Sequence, residues 1–201
     1  MGSSALPIVL FFLLVFLTWQ TIYSANRDLV RAKAWVDLAR RALPFGTLAL
    51  MALSLFLVQQ YRQGWVLVAW MAVSGVLIVS ASVFSVPALE RRANRAFRRR
   101  DYRKAAELYG ELAEDKPLAR NYAFLGAALG ASERYEESVE ASTKAIKDDP
   151  EYGLAYYNRG LVLLKMEKRS RAMKDLRKAL EADLPRRFRT AVRKQLEEET
   201  A

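Results

Sequence analysis

Residues 119–152 read ARNYAFLGAALGASERYEESVEASTKAIKDDPEY, and residues 153–186 read GLAYYNRGLVLLKMEKRSRAMKDLRKALEADLPR. When the two segments are laid over each other, aromatic, small and proline residues fall at matching positions, and Gly126 lies 34 residues before Gly160. A period of that length is typical of repeats that each form one pair of helices. The sequence therefore predicts consecutive helix pairs that stack on each other.

The shared positions have a physical purpose within a helix pair. Gly126 and Gly160 carry no side chain, so two helix backbones can approach closely where they cross. Ala145 and Ala179 allow the same approach from the second helix, and Pro150 ends that helix because proline has no amide N–H. A weaker copy precedes the two segments, with Leu89, Ala93, Tyr102, Ala105, Tyr109, Leu112 and Pro117 in the corresponding places.

This pattern resembles the tetratricopeptide repeat family over about half of the chain. The resemblance implies an α-solenoid of about three helix pairs, at residues 86–118, 119–152 and 153–186. The first copy departs from the family pattern at Ala93, where glycine is usual, and at Leu112, where alanine is usual. An unrelated helical bundle with the same spacing is the alternative.

A last helical segment follows the third pair. Phe188, Val192 and Leu196 recur every fourth residue, so they share one face of a helix. We expect residues 187–201 to form a capping helix and tail that cover the open end of the stack.

The first part of the chain, residues 1–86, is strongly apolar. Residues 6–23 have the length and composition of a membrane span, and residues 43–60 and 65–86 form two more apolar stretches joined by a short link. A signal peptide fits residues 6–23 badly, because no Lys or Arg precedes them and no suitable small residue marks a cleavage site. The expected fold is therefore all-α, with three transmembrane helices before the α-solenoid.

Positive charge predicts the orientation of these spans. Basic residues are concentrated between the first and second spans and after the third, whereas the link between the second and third carries only Arg62. Because cytoplasmic loops retain Lys and Arg, we expect the N-terminus outside and the repeats in the cytoplasm, as in a bacterial inner-membrane protein. An organellar membrane is the alternative. The basic residues are Arg27, Arg31, Lys33, Arg40 and Arg41, followed by Arg91, Arg92, Arg95, Arg98, Arg99 and Arg100.

The loop at residues 25–42 has helical periodicity of its own. Leu29, Val36 and Leu43 recur at helical spacing beside Trp35, and the basic residues fall largely on other faces. This pattern is typical of an amphipathic helix that lies in the membrane interface. A helix packed on the repeat domain is the alternative.

Composition excludes most kinds of active site. The chain has no Cys and no His, which removes thiol nucleophiles, imidazole bases and the usual zinc sites. Carboxylate pairs such as Glu136 with Glu140 read as solvated surface, and Asp148 with Asp149 as a helix end. We expect no enzyme activity, no catalytic residue, no cofactor and no metal.

The net charge of +10 is distributed unevenly. Residues 86–120 carry ten basic and six acidic side chains, residues 121–153 three and seven, and residues 154–201 thirteen and seven. We expect the first basic block, Arg91 to Arg100, to meet anionic lipid headgroups at the membrane surface. Nucleic acid is not the expected partner, because the C-terminal basic block is interleaved with acids.

The resemblance implies a concave groove lined by the first helix of each pair, which binds a peptide or helix of a partner protein. The variant of this family that clamps a terminal carboxylate does not fit, because Phe124, Ala123 and Ala127 stand where its polar residues would be. We expect a hydrophobic or helical ligand with some negative charge, or occupation by the chain's own C-terminal segment or first loop. The expected groove residues are Asn94, Arg98, Arg120, Ala123, Ala127, Tyr157, Leu161, Leu164 and Lys165.

These features predict a membrane-anchored adaptor or accessory subunit that holds a protein partner, either a membrane complex or a soluble client. Anchoring raises the local concentration of whatever the groove binds, so no chemistry is required. Two alternatives stay open: a purely structural subunit of a large membrane complex, and a factor that assists complex assembly transiently.

Overall fold

A computed structural model describes residues 5–58, 60–61 and 63–198 of the chain. Within these ranges the backbone forms eleven α-helices and no β-strand, so the expected all-α fold is confirmed. The chain divides into two units, Met1–Pro87 and Ala88–Ala201. The helices of the first unit are α1 (Ala5–Ala25), α2 (Arg27–Arg31), α3 (Trp35–Val58) and α4 (Gly64–Phe84).

In the first unit, α3 and α4 pack against each other and share two polar contacts. Trp70 Nε1 donates to Ser54 Oγ over 2.9 Å. Ser74 Oγ donates to the Met51 sulfur over 3.2 Å. Most large apolar side chains that are described on these two helices are exposed, as expected of helices that lipid would cover. All four tryptophans, Trp19, Trp35, Trp65 and Trp70, lie in this unit.

Two helices in the described part of the chain are long and apolar enough to cross a membrane. They are Trp35–Leu55, within α3, and Gly64–Phe84, which is α4, and length and composition alone qualify them. The sequence predicts three spans. The first of these, residues 6–23, falls in α1, several of whose side chains lie outside the described residues. Among the described residues the structure therefore supports two candidate spans, and the one predicted at residues 43–60 begins earlier, at Trp35.

The loop at residues 25–42 is not the single amphipathic helix that its periodicity predicts. Instead α2 ends at Arg31, and Lys33 adopts a left-handed conformation with φ of 54°. The amide of Ala34 bonds back to the Leu29 carbonyl over 2.9 Å, which closes α2. Helix α3 then begins at Trp35 and runs through Pro44 without a break. The helical periodicity is real, but it belongs to two helices.

The second unit consists of three helix pairs and a final helix. Each pair is joined by a turn of three residues, which forces its two helices to run antiparallel. The pairs are α5 (Ala88–Arg98) with α6 (Tyr102–Asp115), α7 (Ala119–Ala131) with α8 (Tyr135–Asp148), and α9 (Gly153–Lys165) with α10 (Arg169–Glu181); α11 (Arg186–Glu198) follows.

The three turns within the pairs share one backbone motif. Arg100, Glu133 and Glu167 have positive φ, at 62°, 65° and 59°. In the second pair the amide of Arg134 bonds to the Leu129 carbonyl over 3.0 Å, and the other two turns contain equivalent bonds. This is the Schellman arrangement, which satisfies the last carbonyls of a helix. The sequence uses non-glycine residues at a position that favours glycine, so the motif is hard to predict from composition.

The middle pair, α7 with α8, crosses closely because Gly126 has no side chain. A Cβ added there would lie 3.3 Å from the Ser138 carbonyl and would collide with the hydroxyl of Ser142. Ser138 is fully buried and its hydroxyl donates to the Gly126 carbonyl over 2.6 Å. The predicted role of Gly126 as a contact point therefore agrees with the observed geometry.

Neighbouring pairs are joined by small side chains and one amide. Ala123, Ala145 and Ala155 form a buried cluster between α7, α8 and α9. The Asn158 side chain donates to the Ala123 carbonyl over 2.8 Å in the same interior. These contacts make α7 to α9 a continuous layer, which holds the first helices of successive pairs side by side.

Helix α11 packs on the last pair. Val192 is buried with Leu176 and Leu184, and Phe188 and Leu196 pack against the same cluster. Arg189 ties the start of α11 to the end of α10, because its guanidinium donates to the carbonyls of Leu180, Ala182 and Leu184 at 3.2, 3.2 and 3.0 Å. One side chain thus bonds to three carbonyls at the end of α10 and in the turn before α11.

Candidate partner-binding groove

The first helices of the three pairs line an open groove with a volume of about 800 Å³. Equivalent positions of the repeats contribute to it: Asn94, Ala127 and Leu161 occupy one such position, and Phe97, Gly130 and Leu164 another. The second helices contribute little, because they lie behind the first. The remaining lining residues are Tyr109, Phe124, Ala131, Leu154, Tyr157, Asn158, Val162, Lys165, Arg169, Arg187, Phe188 and Gln195.

Aromatic side chains form much of the groove surface. The rings of Tyr109 and Phe124 lie 5.6 Å apart, and those of Tyr157 and Phe188 lie 5.0 Å apart. Paired rings of this kind present a large, rigid apolar surface that loses little conformational entropy when a ligand covers it. The surface of the groove is therefore suited to contact with apolar side chains.

One tyrosine of the groove is held in place by an amide. The Tyr109 hydroxyl donates to Asn94 Oδ1 over 2.8 Å. Burial, and to a lesser degree the nearby Glu90 carboxylate, raises the pKa of Tyr109 to about 12. Burial also raises the pKa of Tyr157. Both hydroxyls thus stay protonated at neutral pH and add no charge to the groove.

The charge of the groove is positive. Lys165, Arg169 and Arg187 line it, whereas no Asp or Glu does so among the residues that the structure describes. The guanidinium of Arg187 lies 4.7 Å from the centre of the Phe188 ring, a cation–π contact. The groove therefore combines an aromatic surface with positively charged side chains.

Six of the nine residues that the sequence predicts for the groove do line it. They are Asn94, Ala127, Tyr157, Leu161, Leu164 and Lys165.

The other three lie elsewhere. Arg98 is exposed but outside the lining. Arg120 is only 7% exposed, so it lies inside the domain and not at the rim. Ala123 is completely buried in the alanine cluster between α7 and α9, because its face of α7 turns toward the next pair.

The sequence left open that the C-terminal segment occupies the groove, but it did not predict that residues of α11 line it. Arg187, Phe188 and Gln195 all line it, although the periodicity of α11 shows only a capping stripe. Phe188 belongs to that stripe, and a large aromatic residue at its start was the one available signal. The chain's own C-terminal helix thus forms one end of the groove and leaves the rest open.

The basic residues that the sequence assigns to the membrane surface lie on α5 and the turn after it. Arg92, Arg95, Arg98, Arg99 and Arg100 are exposed, and Arg91 is half-buried. Arg95 and Arg98 lie in the last turn of α5, where a cation is favoured by the helix dipole. None of the six lines the groove. Their contact with lipid headgroups stays a prediction.

The part of the chain that the structure describes contains no cluster of three or more acidic side chains that could hold a metal ion. The groove itself offers amides, hydroxyls and cations, which bind and orient a ligand. Its arrangement supports recognition of a protein segment.

Comparisons with known proteins agree with this architecture. Residues 154–185 match the model of the tetratricopeptide repeat family. The matched segment runs from the second residue of α9 to beyond the end of α10, and it includes the groove residues Tyr157, Leu161, Leu164 and Lys165. The curated proteins give no match to the chain.

Solved tetratricopeptide repeat structures resemble the chain in fold. One is described as the TPR2B-domain:pHsp70-complex of yeast Sti1, with 21% identity and a TM-score of 0.52 over 56% of this chain and 93% of that one. Another is the TPR2AB-domain:pHSP90-complex of yeast Sti1, with 17% identity and a TM-score of 0.52 over 77% of this chain and 64% of that one. At these identities the likeness concerns the solenoid fold alone.

Proposed function

We propose that this chain is a membrane-anchored adaptor or accessory subunit, which uses its repeat groove to hold an apolar, partly acidic segment of a protein partner at the cytoplasmic face. The observation that carries the proposal is the groove itself, which is open, lined with aromatic rings and free of acidic side chains among the described residues. The fold that it shares with the two Sti1 complexes supports the same use, since both of those structures are complexes with a partner.

The outer surface of the repeat unit favours an adaptor over a purely structural subunit. Leu161 is the one large apolar side chain exposed among residues 88–198, at 37%, and it lines the groove. A subunit buried against neighbours on several sides would need apolar residues on its other faces as well. The most exposed large apolar side chain of the described repeat unit therefore lies in the groove.

We expect charged replacements in the groove to abolish partner binding. The chain would be purified with an affinity tag from its native membrane in mild detergent, and the attached proteins would be identified by mass spectrometry. Leu161→Glu combined with Tyr157→Glu should reduce recovery of the partner by about 100-fold or more, because two anions would be placed against the apolar ligand. Thr190→Glu with Ala191→Glu adds the same charge at exposed positions outside the groove lining and should leave recovery unchanged.

Circular dichroism would verify that both variants stay helical. If a partner is recovered equally with the groove variant and with the wild-type chain, groove binding is wrong. If no protein is recovered specifically by either, the adaptor proposal fails as a whole.

The anchoring part of the proposal has a separate test. Because the chain has no cysteine, a single introduced thiol reports its own location. In intact bacterial cells an impermeant maleimide should label Gln63→Cys, in the link between the candidate spans, and should reach Ser170→Cys, at the start of α10, only after lysis. Labelling of Ser170→Cys in intact cells, or release of the chain by carbonate washing, would contradict a cytoplasmic repeat unit on an integral anchor.

A further inference from the structure

The three cations of the groove are gathered at one end. Lys165 is the last residue of α9, Arg169 is the first of α10, and Arg187 is the second of α11. The opposite end is lined by Asn94 and Phe97 of α5, which are uncharged. Because no acidic side chain lines the groove in the described residues, the charged side chains that a ligand would contact lie at one end only.

Two of these cations stand where the helix dipole opposes them. The first turn of a helix has a partial positive charge, so acidic residues stabilise it and basic residues do not. Neither α10 nor α11 has an acidic residue in its first turn, and each begins with arginine. Within the fold the charge of Arg187 is favoured only by its contact with the Phe188 ring and is opposed by the helix dipole, whereas an anionic ligand in the groove would be attracted by it.

We infer that the groove binds its partner segment in one direction, with acidic residues of the segment at the end formed by Lys165, Arg169 and Arg187, and aliphatic or aromatic residues along the remainder toward α5. This inference rests on the proposed function and specifies the ligand of the same site.

The distribution of groups favours a protein segment over a nucleic acid. A nucleic acid carries a phosphate on every nucleotide and needs cations along its whole path. Here the middle of the groove is made of Ala127, Leu161 and aromatic rings, which suit apolar side chains. Acidic residues confined to one end of an otherwise apolar segment match both regions at once.

A peptide selection tests the composition of the ligand. Displayed random peptides would be selected against the purified full chain in uncharged detergent, with removal of those that also bind the Leu161→Glu, Tyr157→Glu variant. The expected peptides carry apolar residues followed or preceded by a cluster of Asp or Glu. Peptides that are uncharged or basic would overturn the inference while leaving groove binding intact. If no peptide depends on the groove, the proposed function fails and the inference with it.

Charge removal tests the assigned cations. With a selected peptide, Lys165→Gln combined with Arg187→Gln should weaken affinity about tenfold at low salt, since partly exposed ion pairs each contribute modestly. The same variant should bind a copy of the peptide with Gln in place of its acids as well as the wild-type chain does. Lys174→Gln with Arg177→Gln removes the same charge from exposed positions of α10 outside the groove lining and should leave the affinity unchanged.

The melting temperature of an Arg187 variant tests whether this residue recognises the ligand or stabilises the fold. Arg187→Gln should leave it almost unchanged, because removal of a cation from a helix N-terminus offsets the loss of the contact with the Phe188 ring. A lowered melting temperature together with equal loss of affinity for both peptides would show that Arg187 supports the fold and does not read charge, which would overturn its assignment.

The direction in which the peptide lies in the groove can be determined from the distance between two dyes. A fluorophore on Ser170→Cys, beside Arg169, would report energy transfer from a second dye placed at either end of the selected peptide. We expect stronger transfer from the acidic end. Equal transfer from both ends, or stronger transfer from the apolar end, would overturn the directional binding.

Discussion

Replacing Gly153 with alanine should destabilise the repeat unit by about 3 kcal/mol, because overpacking against backbone has no easy relaxation. Gly153 is the first residue of α9 and is buried. A Cβ on it would lie 2.5 Å from the Leu184 nitrogen and 2.9 Å from the Asp183 carbonyl carbon. That segment is fixed, since the Asp183 amide donates to the Glu151 carbonyl over 2.9 Å.

Gly110 supplies the matched control. It lies inside α6, and a Cβ there would meet nothing within 4 Å. Gly110→Ala should therefore stabilise the unit by about 0.5–1 kcal/mol through higher helix propensity. Urea unfolding of the full chain in uncharged detergent, followed by hydrogen exchange in peptides from residues 88–198, would measure both. A Gly153→Ala variant as stable as the wild type would show that the close approach to Leu184 is not maintained.

Removing the carboxylate of Asp175 should destabilise the repeat unit by about 2 kcal/mol, because a partly buried cation is left without its counter-ion. Arg159 of α9 meets Asp175 of α10 in a two-point ion pair, with Nε to Oδ2 at 2.7 Å and Nη2 to Oδ1 at 2.8 Å. The third nitrogen donates to Thr143 of α8 over 3.0 Å. The two ionic side chains are 20% and 10% exposed, so water compensates little of the loss.

The second repeat has uncharged residues at the two positions of this ion pair. Leu125 and Ala141 stand there at the places of Arg159 and Asp175. Arg159→Leu with Asp175→Ala reproduces that arrangement, and we expect this double variant to stay within about 1 kcal/mol of the wild type. The measurement is the free energy of unfolding of the single and double variants side by side. A double variant as unstable as Asp175→Ala would mean that the position requires the ion pair for packing and not only for charge balance.

Periodicity predicts where the helices lie but not how each one is rotated. The spacing of Gly126 and Gly160 locates the helix pairs, and the stripe at Phe188 locates α11, because both patterns follow from helix geometry alone. Ala123 and Ala127 lie one helical turn apart, so periodicity places them on the same face of α7. The structure separates them, because α9 packs over Ala123 and leaves Ala127 in the groove.

Contacts between segments that are distant in the sequence explain the remaining differences between prediction and structure. Gly153 occupies the repeat position of Ala119, and only the approach of residues 183–184 makes a methyl group intolerable there. In the same way, Arg187 lines the groove because α11 packs on α9 and α10. The break at Lys33 could not be predicted, because a left-handed lysine has no compositional signature.

The confinement of every tryptophan to the first unit gives each half of the molecule its own optical reporter. The second unit contains seven of the nine tyrosines and no tryptophan. Indole emission therefore reports on the first unit alone, whereas phenol absorption reports mainly on the second. One sample thus shows whether the two halves lose their structure together or in succession.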